Sequence, residues 1–320
     1  MGNRFPWRQV ILSLGIGSVI LWRVPFKELR SAFRGLEGGS LLVAIFFTLG
    51  LLVLRAYKWH CLMSAAGNFR LRQSLRTLLG GCALGLITPG RVGELGRCVF
   101  VRRQERTQVA VLTFLDRSLD FWGLLTLMGA SLFFVVPQPA AIFGVAVWLA
   151  LLPVVLGFPR LVAHFSLATK WSRHLHAAFD EVAAGLPPVE ILKYASMSLG
   201  AMWLELSSFF FLLRGFSPAD YSTAVATYPY IALAGDLPLS LSGVGIREGA
   251  AALFLSPYAI PSSSAVDTTL LWFVLAILFP AALGMGWLAV EKLRPYYSAS
   301  RTVRSETALR MDTPSSGPTA

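Results

Sequence analysis

Thr88-Pro89-Gly90-Arg91-Val92-Gly93-Glu94-Leu95-Gly96-Arg97 interrupts one long apolar stretch, 75–101. Asp236-Leu237-Pro238, followed by Ser242-Gly243-Val244-Gly245-Ile246-Arg247-Glu248-Gly249, interrupts another, 221–256. Each stretch holds too many Gly, Pro and charged positions for one plain crossing, and each is long enough for two half-length helices with a break between them. Non-helical backbone at membrane depth must be buried in protein or line a cavity, because hydrocarbon satisfies no polar group. How these two stretches fold therefore decides the topology.

The rest of the chain sets the membrane context. Of 320 residues, 55% are hydrophobic and 14% charged, against roughly 25% charged in a soluble protein. That deficit excludes an ordinary soluble enzyme and a disordered body. The expected fold class is an all-α polytopic membrane protein. Full spans are expected at 8–25, 39–62, 107–136, 140–158, 189–214 and 266–290, with the two interrupted stretches as re-entrant broken-helix hairpins. Arg4 and Arg8 before the run Val10–Trp22 resemble a signal peptide. The run lacks a small-x-small cleavage site, so an uncleaved first span is expected. Cys61, Cys82 and Cys98 are an odd number without CxxC spacing, which points away from a disulfide framework or zinc site.

One integral membrane domain, 1–290, is expected. Half one covers 8–136 and half two 140–290. A connector, 160–188, carries Leu167, Trp171, Leu175, Phe179 and Val182 at three-to-four spacing and reads as an amphipathic surface helix. His174 and His176 are two apart and diverge on a helix, so no metal site is expected there. The tail, 291–320, rich in Ser, Thr, Pro and Arg, reads as a disordered basic cytoplasmic segment.

Basic residues outnumber acidic ones, 28 to 17. With both hairpins re-entrant and the N-terminus inside, 17 Lys and Arg lie on the cytoplasmic side and 5 outside; as two full crossings, the stretches give 11 on each side. Positive-inside bias selects the re-entrant arrangement, with both termini cytoplasmic. Each half then has three full crossings, so the halves run in opposite orientation as inverted repeats, the architecture of many transporters. The excess charge orients the chain and meets anionic headgroups. No nucleic-acid partner is expected.

Six basic residues remain inside the segments: Arg55, Lys58, Arg91, Arg97, Arg117 and Arg247. Intramembrane charges must pair, face a cavity or snorkel. Arg91, Glu94 and Arg97 recur every three residues and share a helix face. Thr88 is placed to cap and Pro89 to open a half-helix there, and free N–H groups at such a terminus suit a phosphate. In the second hairpin Ser242 is placed to cap, and Gly243 and Gly245 let a backbone or headgroup approach closely. The candidate substrate-binding residues are Arg91, Glu94, Arg97, Arg247 and Glu248. Pro89, Gly90, Gly93, Ser242, Gly243 and Gly245 are the candidate hinge positions. Arg55, Asp116, Arg117, Asp120, Glu205 and Asp236 are expected as supporting charges, in salt bridges that hold hairpins against spans.

Pro89–Arg97, then Asp116-Arg117-Ser118-Leu119-Asp120, then Pro238–Gly249, with Arg55 and Trp59 in span two, resemble the lysylphosphatidylglycerol synthase transmembrane-region family, a flippase-like membrane domain. The likeness covers roughly 8–290. Family members often show Glu-Arg where this chain has Asp116-Arg117, which keeps the charge. The resemblance implies a multi-pass protein of the cytoplasmic membrane that moves a lipid with a charged headgroup between leaflets. In two-part members a soluble domain attaches the amino acid to phosphatidylglycerol; no such domain is read here, so synthase activity is not carried over.

The expectation is a lipid flippase for an anionic phospholipid or a polyprenyl-phosphate-linked lipid, with membrane lipids bearing anionic headgroups as partners and without cofactor or metal. Two alternatives belong to other classes. One is a membrane-embedded lipid-modifying enzyme using Glu94, Asp116, Asp120 or Glu248 as acid or base. The other is an accessory subunit docking a lipid or glycan synthase through the connector and tail.

Overall fold

The computed structural model describes residues 32, 34–89, 91–135, 142, 182, 187–240 and 242–291. The expected spans 8–25 and 140–158, nearly all of the connector, the tail beyond 291, and Gly90 lie outside the described residues. Every regular element described is helical, and among these residues there is no sheet.

The chain forms α1 (Gly38–Ala66), α2 (Leu71–Leu86), a 3-10 helix (Val92–Phe100) and α3 (Arg106–Val135). It continues as α4 (Pro188–Phe216), α5 (Tyr221–Asp236), α6 (Ile246–Leu255) and α7 (Ser262–Phe273). A π-helical turn, Val274–Leu278, carries α7 onward as helix to 291. Among the described residues, three helices are long and apolar enough to cross a membrane: Gly38–Ala65, Val189–Phe216 and Ser262–Glu291. Helix α3, at 30 residues, is as long.

Helix positions follow from local chemistry. Pro187 precedes α4 and Pro188 opens it, where the missing N–H has no intrahelical partner to lose. At the start of α2 the Gln73 side chain accepts the Arg70 N–H at 2.9 Å. The most apolar stretch of α4 is 61% buried against 17% for α1, so α4 is central and α1 faces outward. One apolar core joins α4, α5, α6 and α7 around Phe209, Tyr228, Leu271 and Trp272. A second gathers Trp59, Leu62, Leu112, Leu119 and Tyr194. Within a bilayer, where lipid tails are as apolar as these side chains, such clusters hold helices together by close packing and interhelical hydrogen bonds.

The helix lengths repeat. Helices α1 and α4 each have 29 residues, beginning at 38 and 188; α2 and α5 each have 16, beginning at 71 and 221. The second half therefore restarts 150 residues after the first. Gly93 and Gly243 stand at that spacing, as do Arg97 and Arg247.

Both interrupted stretches are broken helices. The limb after the first break is a 3-10 helix of nine residues, not the α-helical half expected from the sequence. A 3-10 helix eclipses side chains at i and i+3, so Glu94, Arg97 and Phe100 stand in one row. They lie over Gly85, Gly81 and Gly80 of α2. A Cβ on Gly85 would stand 2.6 Å from Glu94 Cγ, and one on Gly81 2.6 Å from Arg97 Cγ. Three glycines thus make a trough that the tighter helix fills.

Candidate functional site

The breaks of the two hairpins meet. Ser242 Oγ donates to the carbonyl of Leu86 at 2.7 Å, and the Ser242 N–H points to the carbonyl of Thr88 at 3.5 Å. The expectation that Ser242 caps the following helix is corrected here: its hydroxyl serves the other hairpin. Helix α6 is capped instead by Glu248, whose carboxylate accepts the Gly245 N–H at 2.5 Å. Thr88 does act at its own break, accepting the Gly93 N–H at 2.6 Å. Arg91 (φ 58°) and Ser242 (φ 52°) both adopt the left-handed conformation, uncommon for non-glycine residues. Gly243 (φ 78°) and Gly245 (φ 87°) complete the second turn. Gly93 backs so closely on the Leu84 carbonyl that no side chain fits there.

Behind the first break lies an ion-pair network drawn from three elements. Lys58 of α1 binds Asp116 at 2.8 Å and Asp120 at 2.5 Å, and donates to Ser198 Oγ of α4 at 2.9 Å. Arg97 binds Asp116 at 2.8 Å and lies over the Trp59 ring with its guanidinium carbon 4.5 Å from the centroid. Trp59 is fixed in turn by its N–H to Thr77 Oγ1 at 2.8 Å. Arg117 reaches Glu94 at 2.9 Å, Asp120 at 2.8 Å and Asp116 at 3.2 Å. Glu94 also pairs with Arg91. Separately, Arg55 binds Glu205 at 2.7 Å, joining α1 to α4. Residues i and i+4 on one helix face bring Asp116 and Asp120 to the same side of α3, and their mutual repulsion requires the shared Lys58.

Beside the network a cavity of about 250 Å³ opens. Arg55, Arg91, Arg117, Glu94, Asp120, Glu205 and Asp236 line it, with Tyr228, Phe121, Leu124, Met202, Ala232 and Trp272 as its apolar wall. A lining that combines charged groups with apolar side chains suits an amphiphile.

Of the expected substrate-binding residues, Arg91 and Glu94 line this cavity, and Arg97, Arg247 and Glu248 do not. Arg97 is fully buried between Asp116 and Trp59. Arg247 is 1% exposed, donates to the Ser242 carbonyl at 3.0 Å and stacks over Trp272 at 4.8 Å. Its Nε and Nη1 have no hydrogen-bond partner among the described residues. A Cβ on Gly235 would stand 2.6 Å from Arg247 Nε, so this glycine makes room for it. Both arginines act as pins that fix hairpins to aromatic rings.

The supporting charges take larger parts than expected. Arg55, Arg117, Asp120, Glu205 and Asp236 all line the cavity, and Asp116 lies behind it. Sequence reasoning left Lys58, Tyr228 and Trp272 off the candidate site. For Lys58 a signal exists: two carboxylates one turn apart on α3 demand a cation, and Lys58 is three residues beyond Arg55 on the same helix. Among the described residues the charges at and behind the cavity balance, with Arg55, Lys58, Arg91, Arg97, Arg117 and Arg247 matched by Glu94, Asp116, Asp120, Glu205, Asp236 and Glu248. Among the described residues no cluster of His, Cys, Asp and Glu is arranged to hold a metal ion, and all three cysteines are free.

An all-helical polytopic protein with charged, broken helices meeting at an amphiphilic cavity belongs to the class that handles polar groups within the bilayer. The family is specific. The chain matches the Lysylphosphatidylglycerol synthase TM region over residues 10–284, and it belongs to that family. It is thus a flippase-like, lipid-handling, multi-pass protein of the plasma membrane. No curated protein and no solved structure matches the chain.

Proposed function

We propose that the protein moves a lipid with an anionic headgroup, a phospholipid or a polyprenyl-phosphate-linked lipid, between leaflets of the membrane. The cavity carries this reading. Its arginines Arg91, Arg55 and Arg117 offer guanidinium donors to a phosphate, while Phe121, Leu124, Met202 and Trp272 accept the first part of the apolar chains. The headgroup displaces part of the carboxylate contacts that these arginines make at rest. The acyl or prenyl tails stay in the bilayer throughout.

The two hairpins are the moving parts of this proposal, as the paired breaks of an inverted repeat. Matching helix lengths, a common spacing of 150 residues and a left-handed residue at each break support that assignment. Rocking of the halves opens the contact between Ser242 and Leu86 on one side and closes the cavity on the other. No catalytic step is proposed. Glu94, Asp116 and Asp120 are each committed to two or more cations, which leaves them poor acids or bases.

The test is leaflet exchange of a fluorescent phosphatidylglycerol in vesicles containing the purified chain. Exchange should exceed that of protein-free vesicles, depend on the headgroup, and fall at least about tenfold in Arg91→Ala, the loss of one charge-assisted contact. Exchange equal to that of empty vesicles refutes the proposal.

A further inference from the structure

We propose that Asp236 takes up a proton when the anionic headgroup enters, so that lipid and proton cross together. This rests on the transport reading above.

Charge balance is the first observation. Among the described residues, the groups at and behind the cavity balance when all are ionised, six cations against six carboxylates. A headgroup with one negative charge therefore brings an uncompensated anion to membrane depth, where such a charge is costly. One added proton removes it.

The second observation selects the residue. Glu94, Asp116, Asp120 and Glu205 are all held in ion pairs, and Glu248 accepts a backbone N–H. Asp236 has neither an ion pair nor a hydrogen bond among the described residues. It is exposed at the cavity wall.

The third is its place in the fold. Asp236 is the last residue of α5, at the break before Leu237 and Pro238. The unsatisfied carbonyls and the negative dipole end of a helix disfavour another anion there. Other charges act on it from each packed element. From α6 these are Arg247 and Glu248, and from α3 Arg117 and Asp120. From α4 it is Glu205, and from the first hairpin Arg91 and Glu94. Arg91 and Arg247 oppose protonation at rest. A phosphate that engages Arg91 neutralises that field, so headgroup entry and proton uptake favour one another. The proton comes from water on the loading side, adds to an Oδ of Asp236 and returns to water on the other side. No covalent bond to lipid forms.

The experiment places the full chain in vesicles with a trace of fluorescent phosphatidylglycerol and reads its steady-state leaflet distribution. A pH difference of about one unit is imposed without a membrane potential. One proton per lipid shifts the leaflet ratio about tenfold toward the alkaline side. Asp236→Asn should return the ratio to about one, and Asp236→Glu should retain the asymmetry. An even wild-type distribution while exchange proceeds overturns the inference and leaves transport standing. Asymmetry that persists in Asp236→Asn, or that follows a sodium gradient or membrane potential instead of pH, also overturns it. A trapped pH dye gives a reading that needs no variant: lipid transfer without accompanying proton movement is a refutation. Absence of any exchange removes the transport reading, and this inference with it.

Discussion

Replacing Lys58 by methionine tests the ion-pair network at the buried cation that two carboxylates share. Lys58 is 1% exposed and holds Asp116 and Asp120 within 2.8 Å. Methionine keeps most of the side-chain volume and removes the charge, so packing changes little and the electrostatic effect dominates. Breaking a buried ion pair costs 3–5 kcal/mol, because the partner is left charged and unpaired. Here Asp116 retains Arg97 at 2.8 Å and Asp120 retains Arg117 at 2.8 Å. The loss therefore falls near the lower end, about 3 kcal/mol, or roughly a hundredfold in the unfolding equilibrium. The assay is reversible unfolding in mixed detergent micelles, with Lys58→Met, Asp120→Asn and the double variant as a cycle. In the double variant both charges are gone, so its loss should be smaller than the sum of the single losses by about 2 kcal/mol, within the range for residues in one network. A loss below about 1 kcal/mol for Lys58→Met, or additive single losses, would show that Lys58 is not the shared counter-ion of this carboxylate pair.

Three further substitutions probe the hairpins. Gly81→Ala puts a methyl 2.6 Å from Arg97 Cγ and should lower stability by about 1–3 kcal/mol, with Arg97 displaced from Trp59; tryptophan fluorescence and thermal melting report both. Ser242→Ala removes the donor to the Leu86 carbonyl and should cost about 1 kcal/mol. It should also raise backbone hydrogen exchange at both breaks, and unchanged exchange at 86–93 would count against the tip-to-tip contact. Arg247→Lys keeps the charge but loses the planar stack on Trp272; a melting temperature equal to wild type would refute its role as an aromatic pin.

Much of this arrangement is legible in sequence because the bilayer limits the options. Spans two, three and five appear within a few residues as α1, α3 and α4, since length and apolarity define a crossing. The breaks at 88–91 and 237–245 are legible for a related reason: Pro, Gly and charge cannot continue a lipid-facing helix. The 3-10 form of Val92–Phe100 is not legible, because it depends on the glycine face of α2, which is remote in sequence from the limb it receives. The same distinction holds for charges. Glu94 and Arg97 announce a site by lying in a broken helix, but burial decides whether an arginine meets ligand or protein. That depends on partners such as Asp116 and Trp59, distant in sequence. Lys58 is legible as one of six intramembrane cations, but its pairing is not, because a lysine in a helix reads equally well as a snorkelling residue.

The 150-residue spacing recurs around the cavity. Arg97 and Arg247 stand 150 residues apart, and each packs its guanidinium on a tryptophan, Trp59 or Trp272. They differ in what neutralises them. Arg97 has Asp116 on the neighbouring helix, whereas the position 150 residues beyond Asp116 is Val266. The first hairpin is therefore locked by ion pairs to α3, and the second is held by a carbonyl, two rings and the tip contact with the first. Ion pairs between buried groups are costly to separate, while a single neutral hydrogen bond contributes about 1 kcal/mol. Of the two hairpins, the second is thus the one without an ion pair to a neighbouring helix among the described residues, and Asp236 at its break is a carboxylate that shares this lack.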